Sequence, residues 1–270
     1  MEKIQIGIPC GRNCEKYVEL LLETIKKTVS NLEFIEIILG INDTCVNKLF
    51  LADLMKDFSH FKIIEDVSGE GHSVGHAYCL NSLLENMDSK FGMFIDCDVA
   101  MLKKNWDTEL RQLLNEKNVV LGSEYDGEKY SNFPNVVFCI FRVDILKKLK
   151  LSFSSPGDNG KPIYITIDKK NKDIFGGSIG SKILLDTGWE LPYKLKTAGY
   201  SGTPLNLVSP RHKSTHCNMK FMKKDMRGEE YQLGGVPICT HVGRSYTRPF
   251  GDPIVVKWRK RVAEWLRTTK

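Results

Sequence analysis

An uncharged apolar run, Phe91-Gly-Met-Phe-Ile95, ends in two carboxylates one residue apart, Asp96-Cys97-Asp98, and resumes as Val99-Ala-Met-Leu102. The run reads as a strand buried on both faces, as in a parallel sheet with layers above and below it. If the backbone stays extended through the acids, residues i and i+2 point the same way, so Asp96 and Asp98 converge on one ligand while Cys97 turns inward. Like charges that close repel unless a cation or a shared proton offsets them. An oxygen-preferring Mg²⁺ or Mn²⁺ ion is the natural offset, because Mg²⁺ takes one or two carboxylates and completes its shell with water and phosphates. The competing reading is a strand end closed by an Asx turn, with both acids solvated.

The chain leading to this run alternates strand and helix patterns. Residues 3 to 9 predict a strand, Cys10-Gly11-Arg12-Asn13 a turn, and 15 to 30 a helix with Val18, Leu21, Leu22, Ile25 and Val29 on one face. A strand over 34 to 39 stops at Gly40-Ile-Asn42-Asp43, and a helix over 46 to 58 leads to a strand over 61 to 64. The Gly-rich turn Ser68 to Gly71 and a helix over 72 to 87 then deliver the Asp96 strand. This order predicts an α/β fold, a mostly parallel sheet flanked by helices, with ligands bound beyond the carboxyl ends of the strands. Gly11, Asp43 and Asp96 fall at that edge.

The second half is less regular. Strands are expected over 119 to 121, 135 to 141, 163 to 167 and 236 to 241, and short helices over 106 to 114, 143 to 149 and after Trp189, the last ending at Gly199. The polar, basic stretch 209 to 235 reads as a mobile loop or lid. Asp252-Pro253 is placed to cap a final amphipathic helix carrying Val255, Trp258, Val262, Trp265 and Leu266.

Composition narrows the class. With 41% hydrophobic and 27% charged residues, wholesale disorder is excluded. The start lacks a signal peptide's basic and apolar regions and no stretch has membrane-spanning length, so a cytoplasmic protein is expected, with peripheral membrane contact left open. The eight cysteines are scattered and form no Cys-x-x-Cys, which favours reduced core thiols over disulfides or zinc. The net charge of +6 is uneven: residues 252 to 270 hold six bases and two acids, +4, leaving +2 for the first 251.

In order and spacing the chain resembles the nucleotide-sugar glycosyltransferases of the GT-A fold, the Asp-x-Asp-containing, family 2-like kind. The matching features are a first strand ending Gly7-Ile-Pro9, a second ending near Asp43, and the helix carrying Gly75-His76-Ala77 and Asn81. They continue with Asp96-x-Asp98, Trp189-Glu190-Leu191 with its Gly199-Tyr200 exit, and His241-Val-Gly243-Arg-Ser245. The resemblance spans about residues 3 to 245 and implies one glycosyltransferase domain over 1–250, with a nucleotide half (1–102) and an acceptor half (103–250), followed by a basic helix over 251–270.

The resemblance implies a donor site of Pro9, Arg12 and Asp43 around the base and ribose, uracil favoured, with His76, Asn81, Asp96 and Arg244 toward base or diphosphate. Asp43 reads equally as a helix N-terminal acid. Asp96 and Asp98 would hold Mn²⁺ or Mg²⁺, with His241 completing the shell and His216 the second choice; a core histidine is the other reading of His241. Arg248 and the bases of 211 to 227 are further diphosphate candidates. An inverting reaction needs a base for the acceptor hydroxyl. Many relatives carry an acidic pair directly ahead of the tryptophan, where this chain has Thr187-Gly188. Asp186 is the nearest acid and Glu190 lies within the motif, so these two are the catalytic candidates. Trp189 either stacks on a sugar or belongs to the core.

The implied activity is metal-dependent sugar transfer from a nucleoside-diphosphate sugar, UDP-sugar favoured, to a hydroxyl of a glycan, lipid or modified base. A nucleotidyltransferase of related fold is the alternative enzyme, disfavoured by a first turn poor in glycine. A binding domain without catalysis is the other alternative, suggested by Thr187-Gly188. The final helix would face anionic membrane or nucleic acid, or else be a solvated face with Trp258 and Trp265 turned inward.

Overall fold

The computed structural model describes residues 2–65, 72–125, 129–156, 162–243, 245 and 247–268. The chain opens with β1 (Ile4–Cys10), α1 (Glu15–Thr28), β2 (Ile35–Ile41), α2 (Lys48–Leu54) and β3 (His60–Glu65), and α3 (His72–Glu85) and β4 (Phe91–Ile95) complete the expected alternation. Strand β1 pairs in parallel with β2 and β4, and β2 with β3, while β1 and β4 are buried along their whole length. Alternate residues feed two cores. Ile37, Leu39, Met93 and Ile95 join the apolar cluster of α1 and α2, whereas Ile38 and Phe94 join that of α3.

Beyond β4 follow β5 (Val99–Met101), α4 (Trp106–Gln112), β6 (Asn118–Ser123), β7 (Phe138–Arg142), α5 (Val143–Lys148), β8 (Ile163–Thr166), α6 (Lys172–Phe175) and β9 (Lys182–Leu185). The chain ends with α7 (Glu190–Thr197), β10 (Ser201–Val208), β11 (Glu229–Leu233), β12 (Val236–His241) and α8 (Pro253–Thr268). The large sheet has the order β3-β2-β1-β4-β7-β6-β10-β11-β12-β5, and β8 and β9 form a separate antiparallel pair. Past β4 the sheet is mixed: β7 runs antiparallel to β4 and β6, β10 runs parallel to β6, and β11, β12 and β5 follow antiparallel.

Strands β4 and β5 are consecutive in the chain yet six steps apart in the sheet. Six steps in a flat sheet span about 29 Å, but the stretch from Ile95 to Val99 reaches at most about 14 Å. The sheet therefore folds over on itself, and Asp96, Cys97 and Asp98 form the crease.

At the crease the backbone turns instead of running extended through the two acids: Val99 N–H donates to Asp96 C=O at 3.1 Å. The stretch 209–235 is likewise not one loop. A 3₁₀ helix occupies Lys213–Asn218, Phe221, Met222 and Met226 are buried, and Glu229–Leu233 is strand β11. Buried Glu230 accounts for much of this order, accepting the amide hydrogens of Phe221 (2.9 Å) and Met222 (2.8 Å). Helix α8 is capped as expected, Asp252 Oδ1 accepting from Ile254 N at 2.8 Å, and it buries Val255, Trp258 and Val262 in the cluster that holds β1, β4 and β5. Trp258 donates to Thr240 Oγ1 and Trp265 to Leu102 C=O, both at 3.1 Å, so both tryptophans face inward. None of the eight cysteines is in a disulfide, and six are buried. Among the described residues no helix is long and apolar enough to cross a membrane.

Helix α3 lies close against β2, with Cys79 Sγ 3.3 Å from Gly40 C=O. A Cβ at Gly40 would collide with that sulfur. Gly40→Ala is expected to cost about 1–3 kcal/mol by overpacking, lowering the urea midpoint at unchanged slope. Adding Cys79→Ala should recover part of the loss, and additive losses would disprove the contact.

Candidate functional site

The crease gathers the charged groups. The donor atoms of Asp96, Asp98 and His241 lie within 4.8 Å of one another. Sheet pairing sets this up: β12 runs beside β5 with His241 opposite Val99, the residue after Asp98. His241 Nε2 is 3.2 Å from Asp98 Oδ1, and Asp98 Oδ2 accepts the Ser245 amide at 3.1 Å. Asp98 is 3% exposed. Burial by itself would raise its carboxyl, but the His241 charge and the Ser245 N–H outweigh that and hold it below its ordinary value. Burial would likewise depress His241, and Asp98 and Glu229 together lift it well above.

The hairpin behind His241 is equally specific. Gly234 (φ 57°) and Gly235 (φ 81°) make a two-residue turn with both centres left-handed, the geometry that favours glycine in tight hairpins. A bulge between Tyr231 and Gln232 shifts the register by one and brings Glu229 opposite His241. Glu229 Oε2 lies 3.1 Å from His241 Nδ1 and accepts from Tyr231 Oη at 2.7 Å, while Oε1 takes Arg211 at 3.3 Å.

On the other side of Asp96, His76 from α3 places Nε2 3.1 Å from Oδ1. Burial would lower the His76 ring, and the Asp96 carboxylate more than offsets it. Asp186, in the turn between β9 and α7, is bound by Lys129 Nζ at 2.6 Å through Oδ2 and by its own neighbour's amide, Thr187 N, at 2.8 Å through Oδ1. Lys129 also donates to Tyr125 Oη at 3.0 Å and lies 4.2 Å from that ring's centre. Burial pushes the Asp186 carboxyl up, yet Lys129 and the Thr187 amide leave it below its usual range.

Arg12 and Asp43 meet at the carboxyl edge of β1 and β2, Nε to Oδ2 3.5 Å. Asp43 Oδ1 accepts Cys45 N at 2.8 Å, and Asn47, not Asp43, caps α2 by accepting Phe50 N at 3.0 Å. The helix-terminal reading of Asp43 is thereby replaced by a turn acid paired with Arg12. Pro9 is buried within β1, opposite Gly40.

Other candidates stand apart. Asn81 accepts Phe153 N at 2.9 Å and donates to Ser154 Oγ at 3.2 Å, tying down that loop. Glu190 accepts Ser152 N at 2.8 Å and pairs with Lys194 at 2.7 Å, as a first-turn acid does. His216 faces Pro210 C=O at 2.9 Å instead of the acids. Trp189 donates to Ser154 C=O at 3.0 Å and packs on Tyr193. Arg244 and the 68–71 turn lie outside the described residues.

Sequence reasoning missed Glu229 and Lys129. The signal for Glu229 was available: Gly234-Gly235 between Glu229-Glu-Tyr-Gln-Leu233 and Val236-Pro-Ile-Cys-Thr-His241 is a hairpin pattern. Lys129 carries no local signal, because its partner lies 57 positions away.

The donor set fits Mg²⁺ or Mn²⁺. Two carboxylates and one imidazole cancel the ion's charge, and adjacent ligands of an octahedral ion with bonds of about 2.1 Å lie about 3 Å apart, a spacing within reach of three donors inside 4.8 Å.

No family model matches the sequence, and neither does any curated protein. Among solved structures, the mannosyltransferase PcManGT from Pyrobaculum calidifontis, in complex with GDP-Man and Mn²⁺, superposes with a TM-score of 0.52 at 10% identity, over 75% of this chain and 54% of that one. S. aureus TarS 1–349 gives a TM-score of 0.44 at 18% identity, over 56% of this chain and 50% of that one. The chain thus spans about half the length of these structures. The first likeness shows the fold: this is a GT-A-type α/β architecture.

The Lys129–Asp186 pair is three-quarters buried on both sides, between the exposed and fully buried limits. Lys129→Met is expected to cost about 1–3 kcal/mol at neutral pH. Because Asp186 is held below its ordinary value, the pair's stabilisation is full above the usual carboxylate range and lost as pH falls through the range where Asp186 takes a proton. Urea unfolding across that range should show the gap between wild type and variant closing at the acid end, and a constant gap would disprove the pairing.

Proposed function

We propose that this chain is a divalent-metal-dependent glycosyltransferase that moves a sugar from a nucleoside-diphosphate sugar to an acceptor hydroxyl. The observation that carries this is the Asp96, Asp98 and His241 cluster at the carboxyl edge of a GT-A sheet. The Mn²⁺ complex of PcManGT, a mannosyltransferase with GDP-Man bound, supports a metal-assisted use of such a donor.

Asp96, Asp98 and His241 hold Mn²⁺ or Mg²⁺. The ion supplies Lewis-acid neutralisation of the charge that develops on the departing nucleoside diphosphate. His76 steadies Asp96 from the helix side. Arg12 and Asp43, half-exposed and part-buried at the ends of β1 and β2, bind the base and ribose, with UDP-sugars the first donor class to test and GDP-sugars the second. Pro9 shapes that strand end, and Arg244 is assigned to the diphosphate.

Asp186 takes the acceptor hydroxyl's proton in an inverting displacement. Lys129 and the Thr187 amide keep it ionised and so able to accept a proton, at the expense of basicity. Acceptor approach therefore has to loosen Lys129 from Oδ2. Glu190, bound to Ser152 N and Lys194, supports the helix beside the site instead of reacting. The acceptor is a hydroxyl of a glycan, lipid or modified base. A membrane or nucleic-acid role for α8 would fall to its outward bases, since Lys257 already pairs with Asp225 and Arg261 donates to Phe221 C=O at 2.9 Å.

One observation favours a second reading, a nucleotide-sugar-binding domain without turnover: both acceptor-side carboxylates, Asp186 and Glu190, are engaged in ion pairs. Hydrolysis and transfer of UDP- and GDP-sugars, with Mn²⁺ and with chelator, separate the two. Asp98→Ala and chelation are each expected to lower turnover at least about a hundredfold, and Asp186→Asn by about 10²–10⁴. Activity indifferent to both metal tests sinks the metal role. Pyrophosphate release would point to nucleotidyl transfer, and tight nucleotide binding with no turnover over an acceptor panel to the binding domain.

A further inference from the structure

We propose that Glu229 is a positioning residue for the metal site, acting through His241, so that β11 and the Gly234-Gly235 hairpin set the metal affinity of the crease. The inference rests on the metal reading of Asp96, Asp98 and His241.

The geometry is a chain of contacts: Asp98 Oδ1 to His241 Nε2 at 3.2 Å, His241 Nδ1 to Glu229 Oε2 at 3.1 Å, and Tyr231 Oη to the same Oε2 at 2.7 Å. An imidazole can present one nitrogen to a metal only if the other carries the proton, and the partner of that second nitrogen decides which is which. Glu229 accepts at Nδ1, which leaves Nε2 as the nitrogen on the Asp98 side. Glu229 is not itself a ligand. Oε2 serves Tyr231 and His241, Oε1 takes Arg211 at 3.3 Å, and the carboxylate is not part of the close donor cluster.

Three features hold Glu229 in place. The bulge between Tyr231 and Gln232 puts it opposite His241, and one residue of slip would turn it to the other face of the strand. Tyr231, two residues along the same strand, fixes the carboxylate rotamer by donating to it. Arg211 reaches it from the segment between β10 and β11, so the order of that segment is tied to the metal ligand.

The test is Mn²⁺ binding by calorimetry and by the Mn²⁺ paramagnetic resonance signal, with the full chain and the metal alone, then with UDP added. Glu229→Ala is expected to weaken Mn²⁺ binding about 10–100-fold, and Glu229→Gln, which keeps a carbonyl acceptor and the side-chain shape, by less. In a His241→Ala background, Glu229→Ala should have no further effect on Mn²⁺ affinity. A merely structural role would instead lower thermal stability with Mn²⁺ affinity intact, or give a loss additive with His241→Ala. Either result overturns the proposal. If Glu229→Ala does not fold, Glu229→Gln and Tyr231→Phe carry the same comparison, and unchanged affinity in both overturns it. The failures are distinguishable: a wild type that binds no Mn²⁺ sinks the metal site and this proposal with it, whereas a wild type that binds and a Glu229 series that binds equally sinks only the role of Glu229.

Discussion

The three-residue link between β4 and β5 is the constraint on which the rest depends. It forces a ten-stranded sheet to fold over and places two carboxylates where the two halves meet. A charge as buried as Asp98, 3% exposed, is tolerated only with a partner. The partner comes from β12, which reaches Asp98 because it pairs with β5. Closing the sheet and neutralising the acid are therefore one event. An imidazole fills the role in the folded chain.

The first hundred residues were legible because their physics is local. Each of β1, β2 and β4 is a short apolar run between turn residues, α1 shows a clear apolar face, and the carboxyl edge follows from the alternation. Past β4 the reading was partial: β6, β7, β8, β12, α4, α5 and α7 lie where they were expected, but β10 and β11 were not read. Strand β10, Ser201-Gly-Thr-Pro-Leu-Asn-Leu-Val208, has Gly202 and Pro204 in its first half and alternates weakly, so no window of sequence marks it as a strand parallel to β6. The polar composition of 209–235 hid β11 for a similar reason: buried Glu230 and Gln232, 0% and 3% exposed, are satisfied by each other and by distant amides. At Glu230 and Gln232 polarity signals an internal network, not solvent.

The candidate site divides the same way. Asp96, Asp98 and His241 were readable because a pair of acids after an apolar run, and a histidine ending a late strand, are anomalies in their own neighbourhoods. Glu229 and Lys129 lie in ordinary surroundings and gain meaning only from a partner brought up by the fold. Asn81 and Glu190 show the reverse: polar residues in a suggestive motif whose hydrogen bonds go to the 152–154 loop. What a motif position does depends on where its donors and acceptors are satisfied, and that is a tertiary property.

The site's electrostatics follow from this arrangement. Around the crease the charges alternate: His76 beside Asp96, His241 beside Asp98, Lys129 beside Asp186. Each acid is matched by one base in the folded chain, so none is an unpaired buried charge. The three bases are not equivalent. His241 is held from behind by Glu229, whereas Lys129, on a four-carbon stem, has a tyrosine hydroxyl as its second partner. The Asp98 side of the crease is thus held by a second carboxylate behind its base, and the Asp186 side by a tyrosine hydroxyl.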